Sequence, residues 1–306
     1  MAKQLTPLNS KVVAITGGAR GIGRATAAAL LAQGARVAIG DLDAEFTRRV
    51  ADELGAGAIG LALDVTSRES FAAFLDRVER ELGPLDVLVN NAGIAPVGEF
   101  ARESDAVAAR VLEVNVGGTM IGCKLALERM LPRGAGHIVN LSSGLGRTPS
   151  PGIATYSASK HAIVGLTESL RIELEGSGLA LHLILPNLIA TDMAAGVSAL
   201  RGVRMNSAED VAAAIVNVLQ TGRREAYVPR QLGWLITLEA VVPKRLIRLL
   251  RGALGADRMF TTVDALERAA YEARIAPPQG RGPADRAATV ASAAASVADA
   301  LRAPDA

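Results

Sequence analysis

Apolar runs and amphipathic stretches alternate along the first 230 residues. Lys11-Val-Val-Ala-Ile-Thr16 reads as a buried strand, followed by a glycine-rich turn and a helix from about Gly21 to Gln33. Arg36 to Asp41 is a second strand and Asp43 to Leu54 a second helix. Ala58 to Leu63, Leu85 to Asn90, His137 to Ser142, Leu179 to Leu185 and Glu225 to Val228 repeat the strand signal, with helical patterns between them. Strands that alternate with helices predict right-handed crossover units. The expected fold is α/β, a doubly wound parallel sheet covered by helices on both faces.

The pattern changes after Pro229. Residues 231–275 carry no strand signal and read as a helical C-terminal extension of the single domain over 1–230. Leu232, Leu235, Ile236, Leu238, Val241 and Val242 are apolar, and Trp234 is the chain's only tryptophan. After Pro243, Lys244, Arg245, Arg248 and Arg251 interleave with Leu246, Ile247, Leu249 and Leu250, which predicts a basic amphipathic helix. One reading of 231–251 is a peripheral membrane contact that gives access to lipophilic substrates. The other, favoured because an apolar helical stripe usually faces protein, is an arm packed on its own subunit or a partner. Residues 276–306, beginning with a Pro/Gly-rich linker, read as a Pro/Ala-rich, weakly helical tail.

Composition narrows the function. With 306 residues, half of them hydrophobic, the chain can bury a large core. A net charge of +2 and 3% aromatic residues argue against nucleic acid as a partner. The single cysteine, Cys123, excludes an internal disulfide, and its apolar helical setting suggests core or interface. The first ten residues lack the apolar centre of a signal peptide, and no apolar run reaches the length of a membrane span, so a cytoplasmic location is expected. His137, His161 and His182 lie far apart without ligand spacing, so no metal site is expected.

The turn Thr16-Gly-Gly-Ala-Arg-Gly-Ile-Gly23 joins the first strand to the first helix. Gly17 and Gly21 let the backbone turn and approach a pyrophosphate, Gly23 permits close helix–strand packing, and the helix start beside Ile22 offers free N–H groups. Asp41 ends the second strand, where a carboxylate would accept from ribose hydroxyls and repel a 2′-phosphate. That favours NAD over NADP; Arg20, within the turn, is the counter-evidence. Asp41 also reads as a cap for the helix beginning near Asp43.

Tyr156 and Lys160 stand four apart at the start of a helical pattern, so both side chains share a face. A nearby ammonium favours a phenolate and is expected to lower the tyrosine pKa toward a useful range. Ser143 ends the fifth strand, at the edge of the sheet where ligands bind, and its hydroxyl would hold a substrate oxygen.

Together with Asp64-Val65, Asn90-Asn-Ala-Gly93, Asn115 and Pro186 through Thr191, these motifs strongly resemble the short-chain dehydrogenase/reductase family over about residues 10–230. The resemblance implies a Rossmann fold and hydride transfer between a nicotinamide cofactor and an alcohol/carbonyl pair. It implies that Tyr156 is the acid/base, that Lys160 holds the nicotinamide ribose and tunes Tyr156, that Ser143 orients the substrate and that Asn115 supports a water relay. Asp64 or the Val65 backbone would contact adenine, with a helix cap as the other reading of Asp64. Asn91, Ala92 and Gly93 would line the adenosine side, and Ile189 and Thr191 would hold the nicotinamide carboxamide. Pro186-Asn187 departs from the family's usual Pro-Gly, which bears on the local loop shape.

Met193, Ala194, Ala195, Val197 and Leu200 lie where the family places its substrate lid, and they suit a hydrophobic secondary alcohol or ketone. The helices expected over 102–131 and 154–177 carry more apolar positions than one buried face needs. In this family the corresponding helices pair across a two-fold axis, which implies a homodimer or homotetramer. Two other functions stay open: an NADPH-dependent ketoreductase of lipid metabolism, and a non-catalytic nucleotide-binding scaffold.

Overall fold

The computed structural model describes residues 5–197, 205–243, 245–247 and 259–275, and all that follows concerns these. Seven parallel strands form one sheet in the order β3-β2-β1-β4-β5-β6-β7. They are β1 (Val12–Thr16), β2 (Arg36–Asp41), β3 (Ala58–Ala62), β4 (Val87–Asn90), β5 (Gly136–Leu141), β6 (Leu179–Pro186) and β7 (Glu225–Val228). β1 pairs with β2 from Val12 opposite Arg36 to Thr16 opposite Gly40, and with β4 on its other side. The strand order therefore reverses between β1 and β4, and a crevice opens there at the carboxyl ends.

The central strands are apolar on both faces because helices cover both. Val13, Ile15, Val37, Ile39, Val89 and Val139 face α1 (Gly21–Leu31), α2 (Ala44–Leu54) and α7 (Ala208–Thr221). Val12, Ala14, Leu88 and Ile138 face α3 (Arg68–Leu82) and α5 (Gly118–Met130), with α6 (Ala154–Glu173) beside them. Each buried valine, leucine or isoleucine contributes about 1.5–3 kcal/mol relative to exposure.

Two helices differ from expectation. The stretch 102–131 is divided into α4 (Asp105–Leu112), a wide turn at Glu113–Gly117 and α5. The extra residue of the wide turn lets Gly118 come against Val65, where a Cβ would stand 2.9 Å from Val65 Cγ2. The second helix stops at Glu173, short of 177, because the chain turns through Gly176 at φ 80°. Asn187 needs no unusual backbone: Ser10 is the described non-glycine residue with positive φ, and Asn187 N–H donates to Val228 at 2.8 Å, continuing the β6–β7 pairing.

The described residues up to Ile275 form one compact unit. α8 (Gln231–Val241) packs beside β7, with Gly233 against the Tyr227 ring. α9 (Ala265–Ile275) follows a short loop from Met259. Most of the expected basic helix, including Lys244, Arg248 and Arg251, lies outside the described residues, as do Leu200 and the tail at 276–306.

Candidate active site

The glycine turn lies at the switch point. Gly17 has φ 62°, and a Cβ on Gly23 would stand 2.2 Å from the Gly17 carbonyl oxygen, so that position excludes a side chain. Ile22 packs into the core beneath. Side-chain caps close α2 (Asp43), α3 (Ser67), α4 (Ser104) and α7 (Ser207), but Arg20, preceding α1, provides none. The first N–H groups of α1 are thus left for a ligand, and an anion fits that end of the helix. Asn91 braces the turn by donating to Thr16 O at 2.9 Å and Gly17 O at 3.0 Å. The amides of Asn91 and Ala92 donate to Thr16 Oγ1 at 3.0 Å. Glycine turn, open helix start and an acidic strand end together fit a dinucleotide.

Asp41 is at the tip of β2, and its carboxylate accepts from Leu42 N at 2.9 Å and Ala19 N at 3.4 Å. The α2 cap is Asp43, accepting from Phe46 N at 3.0 Å, so Asp41 is not spent on capping. Arg20 stacks over the Phe46 ring at 3.9 Å, and Arg49 approaches the same ring at 5.7 Å. A second guanidinium therefore reaches this corner from the turn of α2 that follows Phe46. Asp64 accepts from Thr66 N at 2.9 Å and Thr66 Oγ1 at 2.7 Å, while Ser67 caps α3. Val65 is buried beside it.

The catalytic candidates converge at the other half of the crevice. Lys160 is 4% exposed; its Nζ donates to Leu141 O at 2.8 Å and lies 5.4 Å from the Tyr156 ring centre. Burial pulls the Lys160 pKa down to about 8. Gly93 adjoins both groups, its absent Cβ falling 3.2 Å from Asn115 Oδ1 and 3.6 Å from Lys160 Nζ. Ser143 donates to Pro186 O at 3.3 Å and accepts from Leu145 N at 3.1 Å.

The expected lowering of the Tyr156 pKa is not seen in this geometry. Burial pushes the phenol well up, nearby Tyr271 adds to that, and a hydrogen bond with Ser143 works the other way. The Lys160 ammonium is turned to the Leu141 carbonyl and is itself weakened by burial, so it does not dominate. Asn115 is in the wide turn, with its side chain committed. It accepts from Ile94 N at 2.8 Å and donates to Ile94 O and Ser159 Oγ, both at 3.0 Å. Its side chain fastens the loop after β4 to α6.

The lid begins at Ile189, buried and bridged to Asn206, and Thr191 rests on the phosphate turn, its Cγ2 3.2 Å from where a Gly21 Cβ would be. The far side is closed by residues the sequence did not single out. Phe260 is buried among Ala95, Ile153 and Val197, with Tyr156 and Met193 packed against the group. Arg268 is 1% exposed and Tyr271 5%. Arg268 and Glu272 stand four apart on a helix, which reads as an ordinary surface pair; only the scarcity of aromatics hinted at Phe260 and Tyr271.

His137 and His182 are not dispersed. Their rings stack at 5.3 Å, with His137 Nδ1 3.0 Å from His182 Nε2. Among the described residues no three His, Cys, Asp or Glu side chains gather as a metal-holding group. Cys123 is buried, and burial raises its thiol pKa to about 11.

The family described as short chain dehydrogenase matches residues 11–201. The 2-(S)-hydroxypropyl-CoM dehydrogenase 3 of Xanthobacter autotrophicus is 38% identical over 230 residues, spanning 69% of this chain and 90% of that protein. The 3-alpha-(or 20-beta)-hydroxysteroid dehydrogenase of Mycobacterium bovis is 38% identical over 186 residues, 61% of this chain and 72% of that one. A crystal structure of a short chain dehydrogenase/reductase from Burkholderia phymatum in complex with NAD superposes with a TM-score of 0.71 at 28% identity, covering 77% of this chain and 94% of that one. The chain belongs to the short-chain dehydrogenase family. It is a nicotinamide-dependent oxidoreductase that acts on CH–OH groups.

Proposed function

We propose that the protein moves hydride between NAD(H) and a hydrophobic secondary alcohol or ketone, with Tyr156 as acid/base. The observation that carries this reading is a buried lysine, Lys160, set beside Tyr156 and Ser143 where the carboxyl ends of β4, β5 and β6 meet. A bound nicotinamide supplies the hydride acceptor or donor. The Ser143 hydroxyl holds the substrate oxygen, and the Tyr156 hydroxyl passes a proton to it or takes one from it. A buried phenol held protonated suits proton donation to a carbonyl. Lys160 holds the nicotinamide ribose, and Asn115 anchors the loop after β4 that carries Gly93. Gly17, Gly21, Gly23 and the start of α1 hold the pyrophosphate, Asp41 the adenosine ribose, Asp64 and Val65 the adenine, and Ile189 and Thr191 the carboxamide. The apolar lining around Tyr156, and a relative whose name is that of a hydroxysteroid dehydrogenase, support a hydrophobic substrate.

Tyr156→Phe removes only the hydroxyl. Turnover is expected to fall by at least about a thousandfold, with NADH binding by fluorescence titration nearly intact. Retention of more than a small fraction of kcat would sink the assigned role. Arg20 and Arg49 keep the NADPH-dependent ketoreductase as the second reading, and kcat/KM with both cofactors separates the two.

The assembly we infer is a homodimer, or a tetramer built from dimers, through α5 and α6. Met120 is 41% and Ile172 77% exposed there, which leaves apolar surface for a second copy. Light scattering that returns a monomer mass would refute it. On α8, Trp234, Leu235 and Leu238 are exposed and available to a partner or to a membrane surface. No helix of the described residues is long and apolar enough to cross a membrane.

A further inference from the structure

The bulkiest of the fully buried side chains is a charged one, Arg268 on α9. A buried guanidinium is costly unless its donors are met. Here Nη1 donates to the carbonyls of Met193 and Ala195, both at 3.1 Å, Nη2 to the carbonyl of Ala95, and Nε to Glu272 at 2.9 Å. Those carbonyls come from two different loops. Ala95 follows β4, whereas Met193 and Ala195 belong to the lid after β6. An apolar side chain would fill the same space without fixing either loop; a planar fork of donors ties one to the other.

Other contacts act in the same direction. The Tyr271 hydroxyl accepts from Ala95 N at 2.9 Å, so α9 holds both backbone groups of that residue. Asp264 N donates to Gly196 O at 2.9 Å, and Arg274 pairs with Asp192 at 3.2 Å. In front of this clasp the chain runs so close to Gly152 that a Cβ there would stand 2.6 Å from the Phe260 backbone. That approach seats Phe260, with Met259 and Val263, in the apolar group that holds Tyr156, Ile153 and Met193.

We propose that Arg268 is the positioning residue that holds the substrate lid closed from within the same chain, and that Met259, Phe260 and Val263 form the wall that selects an apolar substituent of limited size on the carbinol carbon. The charge of Arg268 is spent on carbonyls and Glu272, so it offers no counter-ion to an anionic substrate tail. The inference rests on Tyr156 marking the reacting centre.

The test uses the full-length enzyme with NAD and secondary alcohols graded in size. Phe260→Ala is expected to raise kcat/KM for bulky alcohols relative to short ones by about tenfold, since each methylene of pocket space carries a factor of that order. Arg268→Met is expected to raise KM for every alcohol by about tenfold or more while kcat moves by less than about threefold, with Arg268→Lys intermediate. The NADH dissociation constant is expected to rise by less than the alcohol KM, because the phosphate and adenosine contacts lie elsewhere and only Ile189 and Thr191 of the loosened segment face the cofactor. Hydrogen exchange at residues 93–97 and 189–197 is expected to quicken in Arg268→Met and in Tyr271→Phe. An unchanged size preference in Phe260→Ala, or unchanged exchange and KM in the Arg268 variants, would overturn the proposal. If Arg268→Met does not fold, Arg268→Lys and Phe260→Ala decide. A dead Tyr156→Phe with no change of size preference in Phe260→Ala defeats this inference alone; an active Tyr156→Phe defeats the underlying reading, and the exchange result still reports on the clasp.

Discussion

The two edges of the sheet both bury titratable side chains, and they use them in opposite ways. At the amino edge, His182 Nδ1 faces the Arg223 carbonyl at 2.6 Å, so that nitrogen carries the proton and Nε2 accepts from His137. Lys11 pairs with Asp86 at 3.0 Å, and Asp86 also accepts from Val12 N at 2.9 Å. These groups answer one another and the backbone. At the carboxyl edge, α1 starts without a side-chain cap, Asp41 is not a helix cap, and Lys160 is buried beside Tyr156 and Ser143. Both edges shift pKa values by burial: His182 falls to about 4 and Lys160 to about 8. A perturbed pKa therefore does not by itself mark a site. The mark is polar groups arranged around a crevice, with donors left for something that is not protein.

That contrast predicts loss of activity from one edge and loss of stability from the other. The largest effect is expected from Lys160→Met: kcat/KM should fall by about a hundredfold or more. Thermal stability should hold or rise, because burial already disfavours the charged amine. A variant that is active but unstable would make Lys160 a structural residue like the histidines. Asp41→Ala comes next. Removing the carboxylate leaves Arg20 and Arg49 at that corner and should shift the kcat/KM preference for NAD over NADP by about tenfold toward NADP. No shift would mean that Asp41 does not read the ribose.

The effect that leaves activity untouched, on stability alone, belongs to the amino edge. His182 has a folded pKa near 4 against an ordinary 6.5, so the unfolded chain binds its proton first as pH falls. The stability present above pH 6.5 is then lost progressively down to pH 4, by roughly 3 kcal/mol. Urea unfolding of wild type and His182→Gln across that window checks this; equal slopes in the two proteins would show that the pair does not titrate as described.

The cofactor side of the site was legible because its parts are close in sequence or repeat a strand–turn–helix rhythm. Gly17 to Gly23 and Asp41 lie within one crossover unit, and hydrophobic periodicity alone locates the strands around them, while their order in the sheet came from the structure. Tyr156 and Lys160 share a helix face by their spacing of four. The wide turn at Glu113–Gly117 was less visible, since it lies in a run that is apolar over much of its circumference, where a shift of the helical face leaves little trace. The His137–His182 pair was invisible: the residues are 45 positions apart and meet only because β5 and β6 are neighbours.

The chain's own order of residues determined the parallel sheet, the phosphate turn, the shared face of Tyr156 and Lys160 and the acidic end of β2, because each rests on local periodicity or on spacing within one element. Only the tertiary structure decided how the substrate side is closed. Arg268 reaches Ala95 across 173 residues and Tyr271 reaches it across 176, and in the linear chain Arg268 and Glu272 look like a solvated helix pair. Folding reversed that reading. Once α9 lies over the lid, the guanidinium is cut off from water, and the carbonyls of two loops become the partners it needs.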